Sequence, residues 1–214
     1  MKKLESSLKN MVIVLTVISV VAGGLLAYVN NVTAGPIEKI KAETLANALK
    51  SVLNAEEMPQ VSSTESIDDF TIIYVTDKGT AVQAATDGFG GKVKVLVGFS
   101  EDGSICGYSL LEHAETPGLG AKADVWFQEG QKGSIIGKNP GEKELTVSKD
   151  GGEIDAITAS TITSRAFLLA VNNAYKAFSG QGADAMSGAT PQNAEEGEVA
   201  APAEETPAEE NANE

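Results

Sequence analysis

The chain has 214 residues, enough for one medium domain and a little more. Its 16 Lys and Arg stand against 30 Asp and Glu, a net charge of −14, the wrong sign for an electrostatic nucleic-acid binder. A single cysteine, Cys106, and a single histidine, His113, exclude a Cys/His zinc site, an intramolecular disulfide and a thiolate-held iron–sulfur cluster.

Met11 to Val29 run for nineteen residues without a charge. As a helix they span roughly 28 Å, about one hydrocarbon core. A secretory signal peptide is the rival reading, with a cleavage site available at Val32-Thr33-Ala34. Its apolar region is ordinarily shorter, so an uncleaved anchor is expected. Lys2, Lys3 and Lys9 precede the span, which predicts a cytoplasmic N-terminus (residues 1–10) and an extracytoplasmic body. Pro36 suits the first turn of a new helix. Ile37, Ile40, Leu45, Ala48, Leu49, Val52 and Leu53 then recur at helical spacing, giving an amphipathic helix and linker over 30–60 that packs on the domain.

A strand-rich stretch opens the main domain, 61–180. Phe70–Thr76 meets the turn Asp77-Lys78-Gly79, and Thr80–Ala85 returns. Lys92–Phe99 alternates Val93, Val95, Val97 and Phe99 with Lys92 and Lys94, a half-buried strand. After Glu101-Asp102-Gly103, Ser104–Leu111 is its partner, with Cys106 as a small core residue. The pattern is an antiparallel meander, and with its helices the fold class is α+β. From Glu112 to Asp155 the chain reads as irregular and Gly-rich, with Val125-Trp126-Phe127 docking on the core. A last helix is expected from about Thr163 to Phe178, with Ala166, Leu169, Ala170, Asn173, Ala174 and Ala177 on one face. Residues 181–214 hold eight Glu and no Lys or Arg, and predict a disordered acidic tail.

Two segments look like a site. Asp155–Ser164 crowds hydroxyls (Thr158, Ser160, Thr161, Thr163, Ser164) among small residues just before the helix. Thr163 or Ser164 serves as its N-cap, but one cap needs one hydroxyl. The surplus, beside free N–H groups, suits a phosphate. Ahead of it, Glu115-Thr116-Pro117-Gly118-Leu119-Gly120 is a loop whose glycines allow a flat ligand to come close. His113 is an edge-strand residue rather than a base. No residue is assigned a catalytic role and none a metal.

These residues resemble a family. Gly88-Phe89-Gly90-Gly91 before a Val-rich strand, His113–Gly120, Asp155–Ser164 with Arg165-Ala166, and the N-terminal membrane helix are similar to the G subunit of the Rnf electron-transport complex. The C subunit of the sodium-pumping NADH:quinone oxidoreductase shares the domain and is the alternative. The resemblance implies an inner-membrane flavoprotein that relays electrons within a translocase. Such complexes couple electron transfer between ferredoxin and NAD to sodium or proton translocation. It also implies FMN esterified through its phosphate to a threonine, attached by a separate flavin transferase, in a pattern close to Asp-x-x-(Ser/Thr)-Gly-Ala-Thr. Here Ala159-Ser160 replaces Gly-Ala, and the acceptor by position is Thr161. Asp155 and Thr158 then shape the turn or are read by the transferase, and Glu115 to Gly120 line or cover the ring. A second match, Asp184–Thr190, fits letter for letter, but it lies in the tail before Pro191. The following helix favours Thr161. Other partners implied are the remaining complex subunits and the membrane. A non-redox, membrane-anchored binding or assembly protein, and an extracytoplasmic reductase with another acceptor, are the rival functions.

Overall fold

The computed structural model describes residues 8–67 and 70–180. The predicted acidic tail and the second motif at Asp184–Thr190 lie outside the described residues. So do Lys2 and Lys3.

One helix, α1 (Leu8–Val52), runs for 45 residues, about 67 Å. It does not restart at Pro36, as the sequence suggests. Pro36 sits inside it. A proline there removes one backbone bond and pushes on the carbonyl four residues back, yet α1 continues past it. The apolar window of α1 is entirely exposed in the isolated chain, as a membrane span requires. The amphipathic expectation holds only at the far end. Ile37 and Ile40 are exposed, whereas Ala48, Leu49 and Val52 are buried.

The helix stops at Asn54, which takes φ +48°, a conformation Asn tolerates better than most residues. The N–H groups of Asn54 and Ala55 return to the carbonyls of Ser51 and Lys50 at 3.2 and 3.0 Å, closing the end of the helix. The Asn54 side chain also donates to the Cys106 carbonyl at 3.3 Å.

Five strands follow in the order β1-β2-β3-β4-β5, all antiparallel: β1 (Val61–Ser66), β2 (Ile72–Thr76), β3 (Gly79–Asp87), β4 (Lys92–Phe99) and β5 (Ile105–Glu112). This is the expected meander with one strand more. β1 carries the sequence VSSTES, every residue exposed, so no apolar alternation marks it. Its backbone pairing with β2 makes it a strand.

Beyond β5 the chain makes short turns, including α2 (Ala123–Trp126), before helix α3 (Thr161–Phe178). Helix α3 packs on β3 and β4, and the last turns of α1 pack on β4 and β5. The two cores hold different side chains. Val82, Ala84, Val95, Val97 and Phe99 meet Phe167, Ala170, Val171 and Ala174 in one. Ala81, Leu96 and Tyr74 meet Ala48, Leu49 and Val52 in the other. Covered from both sides, β4 is not half-buried as its alternation suggests. Leu96 is as buried as Val95 and Val97.

The segment between β5 and α3 wraps the remaining side of α3. Phe127 stacks on Phe167 with centroids 4.3 Å apart, and the Tyr108 hydroxyl donates to the Ala123 carbonyl at 2.7 Å. Trp126 packs against this core, but Val125 is 59% exposed, so only part of the expected apolar island docks. The wrapping buries α3 almost all round, adding Phe167, Leu168 and Val171 to the predicted face. Cys106 is half-buried rather than a core residue.

The joint between α1 and the sheet is tight. Gly98 and Gly107 are paired across β4 and β5. A Cβ on Gly98 would press on the Val52 carbonyl oxygen, and one on Gly107 would lie 3.0 Å from Val52 Cα. The glycines form a notch that receives the end of the helix. Gly98→Ala is expected to destabilise the chain by about 1–3 kcal/mol through overpacking. Thermal unfolding of the detergent-solubilised protein should show a midpoint lower by several degrees. Gly35→Ala, where an added Cβ meets open space, should show no such fall.

Candidate functional site

The two candidate segments meet at the N-terminus of α3, and the glycine turn between β3 and β4 joins them. Gly88-Phe89-Gly90-Gly91 forms this turn, closed by the Gly88 N–H to the Gly91 carbonyl at 2.8 Å. It presents the N–H groups of Phe89 and Gly90 to one carboxylate oxygen of Glu115, at 2.8 and 3.1 Å. The other Glu115 oxygen accepts from the Thr163 hydroxyl at 2.6 Å. Glu115 is only 6% exposed, so its charge rests on these three donors. It lies against the cleft, but its carboxylate turns inward.

Gly120 packs beside the same carboxylate. A Cβ there would come within 2.6 Å of Glu115 Oε2 and 2.7 Å of Thr163 Oγ1. Its lack of a side chain therefore serves this packing rather than the approach of a ligand. Gly118 has φ +78° and turns the loop. Pro117 and Gly118 are exposed, and His113 accepts from the Glu115 N–H at 3.3 Å through Nδ1, just beyond the end of β5.

Helix α3 starts at Thr161, two residues before the sequence estimate, with Ser160 in the N-cap position. Neither Thr163 nor Ser164 is the cap. Thr163 is engaged by Glu115, while the Ser164 hydroxyl donates to the Ser160 carbonyl and accepts from the Ile157 N–H, both at 2.9 Å. Ser160 makes no side-chain capping bond. A terminus left this way keeps its electropositive end available to an anion.

The residue before Ser160, where Ala replaces the family's Gly, is a strained one. Ala159 has φ +60°, one of two non-glycine positive values among the described residues. It stands third in the turn Ile157–Ser160, closed by a 3.0 Å bond from the Ser160 N–H to the Ile157 carbonyl. Gly or Asn ordinarily fills such a position. An L-residue there costs about 1–2 kcal/mol.

Together these elements enclose a cleft of about 340 Å³, lined by Phe89, Glu115, Thr116, Leu119, Gly120 and Ala159 to Thr163. That volume is within the range of small-molecule sites. Phe89 is 70% exposed and Leu119 41%, an apolar pair at the cleft without protein to cover it. The sequence reading includes Phe89 only as a member of the glycine turn, not as a site residue. The available signal is an aromatic ring between glycines, outside the alternation of either strand. Thr161 is half-buried in the same lining, and the Lys149 ammonium donates to its hydroxyl at 3.1 Å. Asp155 and Thr158 are exposed and lie outside the lining, although the Asp155 carbonyl accepts from Trp126 Nε1 at 2.8 Å. Larger hollows, such as one of about 470 Å³ between α1 and strands β3 to β5, contain none of the predicted residues.

An apolar wall, an uncapped helix terminus, a hydroxyl and a cation suit a flat ring bearing a phosphate. FMN is such a group, and the residues present fit it. The comparisons agree: residues 88–176 match the FMN-binding domain family. The chain is thus of the class of proteins with an FMN-binding domain, and its apolar N-terminal helix fits a membrane anchor. It is 35% identical over 189 residues to the G subunit of the Na⁺-translocating ferredoxin:NAD⁺ oxidoreductase complex of Acetobacterium woodii, covering 78% of this chain and 89% of that one. The G subunit of the ion-translocating oxidoreductase complex of Cereibacter sphaeroides (strain ATCC 17029) is 33% identical over 181 residues, 78% of this chain and 82% of its own. That of Vibrio cholerae is 30% identical over 183 residues, 77% and 87%. The chain belongs to the family of G subunits of Rnf ion-translocating oxidoreductase complexes.

The strain at Ala159 generates a test. Ala159→Gly removes the positive-φ penalty and loses no packing, since Ala159 is exposed. After the extra entropy of glycine in the unfolded chain, the gain should be about 0.5–1 kcal/mol. A thermal midpoint raised by roughly 2–4 °C is expected.

Proposed function

We propose that this chain is the flavin-carrying electron-transfer subunit of an Rnf-type complex, with FMN bound through a phosphoester to Thr161. A separate flavin transferase performs the attachment. The observation that carries the reading is the place of the Thr161 hydroxyl, on the wall of the cleft and in the first position of an uncapped helix. A phosphodiester there gains about 0.3–1 kcal/mol from the helix dipole. The bound flavin supplies the redox chemistry. Phe89 and Leu119 offer apolar surface to its ring, Glu115 and Thr163 hold the cleft walls together, and the turn at Ala159 sets where Thr161 stands.

The relative from Acetobacterium carries ferredoxin and NAD in its name. By extension, the complex of this chain moves electrons between the same two carriers and couples this to ion translocation. The chain itself has no dinucleotide fingerprint and no cluster ligands, so those carriers bind other subunits. Residues 11–29 span the inner membrane once, residues 1–10 are cytoplasmic, the FMN domain is 61–180, and the tail beyond it is dispensable.

In-gel flavin fluorescence under denaturing conditions, after coexpression with a flavin transferase, tests the attachment. Thr161→Val keeps the shape and removes the hydroxyl, and its fluorescence should vanish. Thr190→Val should leave it unchanged. The reverse pattern overturns the assignment to Thr161. A colourless parent chain would favour a non-redox assembly role.

The topology rests on Lys9 before the span, together with Lys2 and Lys3. A reporter enzyme active only outside the cytoplasm, fused after Gly180, should be active. A stable but silent fusion would place the domain in the cytoplasm.

A further inference from the structure

The geometry points to Lys149 as the residue that holds the flavin phosphate at Thr161, both as it arrives and once it is attached. This rests on the assignment of Thr161 as acceptor. The Lys149 ammonium lies 3.1 Å from Thr161 Oγ1, the atom that would bond to phosphorus. Lys149 stands in a short 3-10 turn, Ser148–Asp150, twelve residues upstream of the hydroxyl it reaches.

The turn is held in place by its neighbours. The Asp150 carboxylate takes two bonds from the Arg165 guanidinium, at 2.7 and 2.6 Å, and its side chain is only 5% exposed. Arg165 is on the second turn of α3, so this pair fastens the Lys149 turn to the helix that carries Thr161. The pair also pushes the Arg165 pKa further up, keeping the fastening charged. Gly151, at φ +84°, reverses the chain, and the Gly152 N–H returns to the Val147 carbonyl at 3.0 Å. Asp150 is bonded twice to Arg165, and the neighbouring Lys149 reaches the acceptor oxygen.

The chemistry requires such a charge. A threonyl hydroxyl forms a phosphoester only with a flavin whose phosphate is activated as an anhydride, and a flavin dinucleotide is a donor of that class. The bond from Thr161 Oγ1 to phosphorus forms and the pyrophosphate bridge breaks. The nucleoside monophosphate leaves with the bridging oxygen, and the hydroxyl proton passes to solvent. No electrons change hands. Both donor and product are anionic, and the chain they meet has a net charge of −14. Lys149 offsets this locally and then pairs with the remaining phosphodiester charge.

The test uses the full chain, purified without flavin in detergent, with purified flavin transferase and flavin adenine dinucleotide. Attachment is followed as in-gel fluorescence against time and donor concentration. Lys149→Gln should slow attachment roughly tenfold, mainly through a higher KM for the donor, as loss of one charge-assisted bond predicts. Lys149→Arg should stay within about threefold of the parent, since either cation can pair with phosphate. The parent, unlike Lys149→Gln, should also slow as salt rises. Thermal midpoints of both variants should match the parent, because Lys149 is exposed. Parent-like rates for Lys149→Gln, or Lys149→Arg as slow as Lys149→Gln, would overturn the inference while Thr161 remained the acceptor. Full labelling of Thr161→Val would instead remove the acceptor assignment and this inference with it.

Discussion

The site is assembled around one buried carboxylate. Glu115 receives two N–H groups from the β3–β4 turn and one hydroxyl from α3, so three distant segments share a single anion. Hydrogen bonds to a charged group contribute more than neutral ones, about 1.5–3 kcal/mol each, and leaving such a charge buried without them is expensive. This makes the arrangement close to all-or-none. If the glycine turn shifts, Glu115 loses two donors, and the helix terminus loses its attachment at Thr163. The glycines follow from the same constraint. A Cβ on Gly88 or Gly120 would occupy the space that the Glu115 carboxylate fills. The cleft, the position of Phe89 and the place of Thr161 are consequences of where this anion sits.

At the opposite end of the sheet the logic is steric. The Gly98–Gly107 notch accepts the backbone of Val52, and a helical terminus with satisfied carbonyls fixes the angle of entry. Because α1 is continuous from Leu8 to Val52, no flexible linker separates its apolar span from this joint. The sheet carries the constraint onward: β4 touches α1 on one face and α3 on the other. A helix long and apolar enough to cross a membrane is thereby coupled through one strand to the helix that begins at Thr161.

What the sequence made legible divides along physical lines. Turn residues such as Asp77-Lys78-Gly79 and Glu101-Asp102-Gly103 mark the ends of β2 to β5, and the valines of β4 mark a strand, although its alternation hides that both of its faces are buried. β1 escapes notice, since an edge strand of serine, threonine and glutamate buries no side chain. The start of α3 is misplaced because hydroxyl-rich residues look like caps. Here Thr163 and Ser164 serve tertiary contacts instead, and no side chain caps the helix. Pro36 misleads for a related reason: proline's local preference for a first turn does not decide whether the helix upstream ends. The Glu115 loop and the Thr161 segment are visible as motifs, but their shared carboxylate is not. A contact between residues 48 positions apart leaves no periodic trace.

The cleft also bears on why a tether is useful. Its lining includes two exposed apolar side chains, Phe89 and Leu119, and it is partly open to solvent. Such a surface binds a flat ring weakly by the measure of apolar area alone. A covalent linkage changes the requirement. Attached at Thr161, on the wall of the cleft, the ring is presented at an effective concentration in the millimolar range or above. Weak contacts then suffice to hold it in place much of the time, and loss of the flavin by dissociation is prevented. A cleft open on one side would leave an edge of such a ring accessible to the next electron carrier, which a fully enclosing pocket would cover. On the proposed linkage, the exposed apolar pair and the covalent bond are two parts of one solution: retention comes from the phosphoester, and access comes from the solvent-facing side at Phe89 and Leu119.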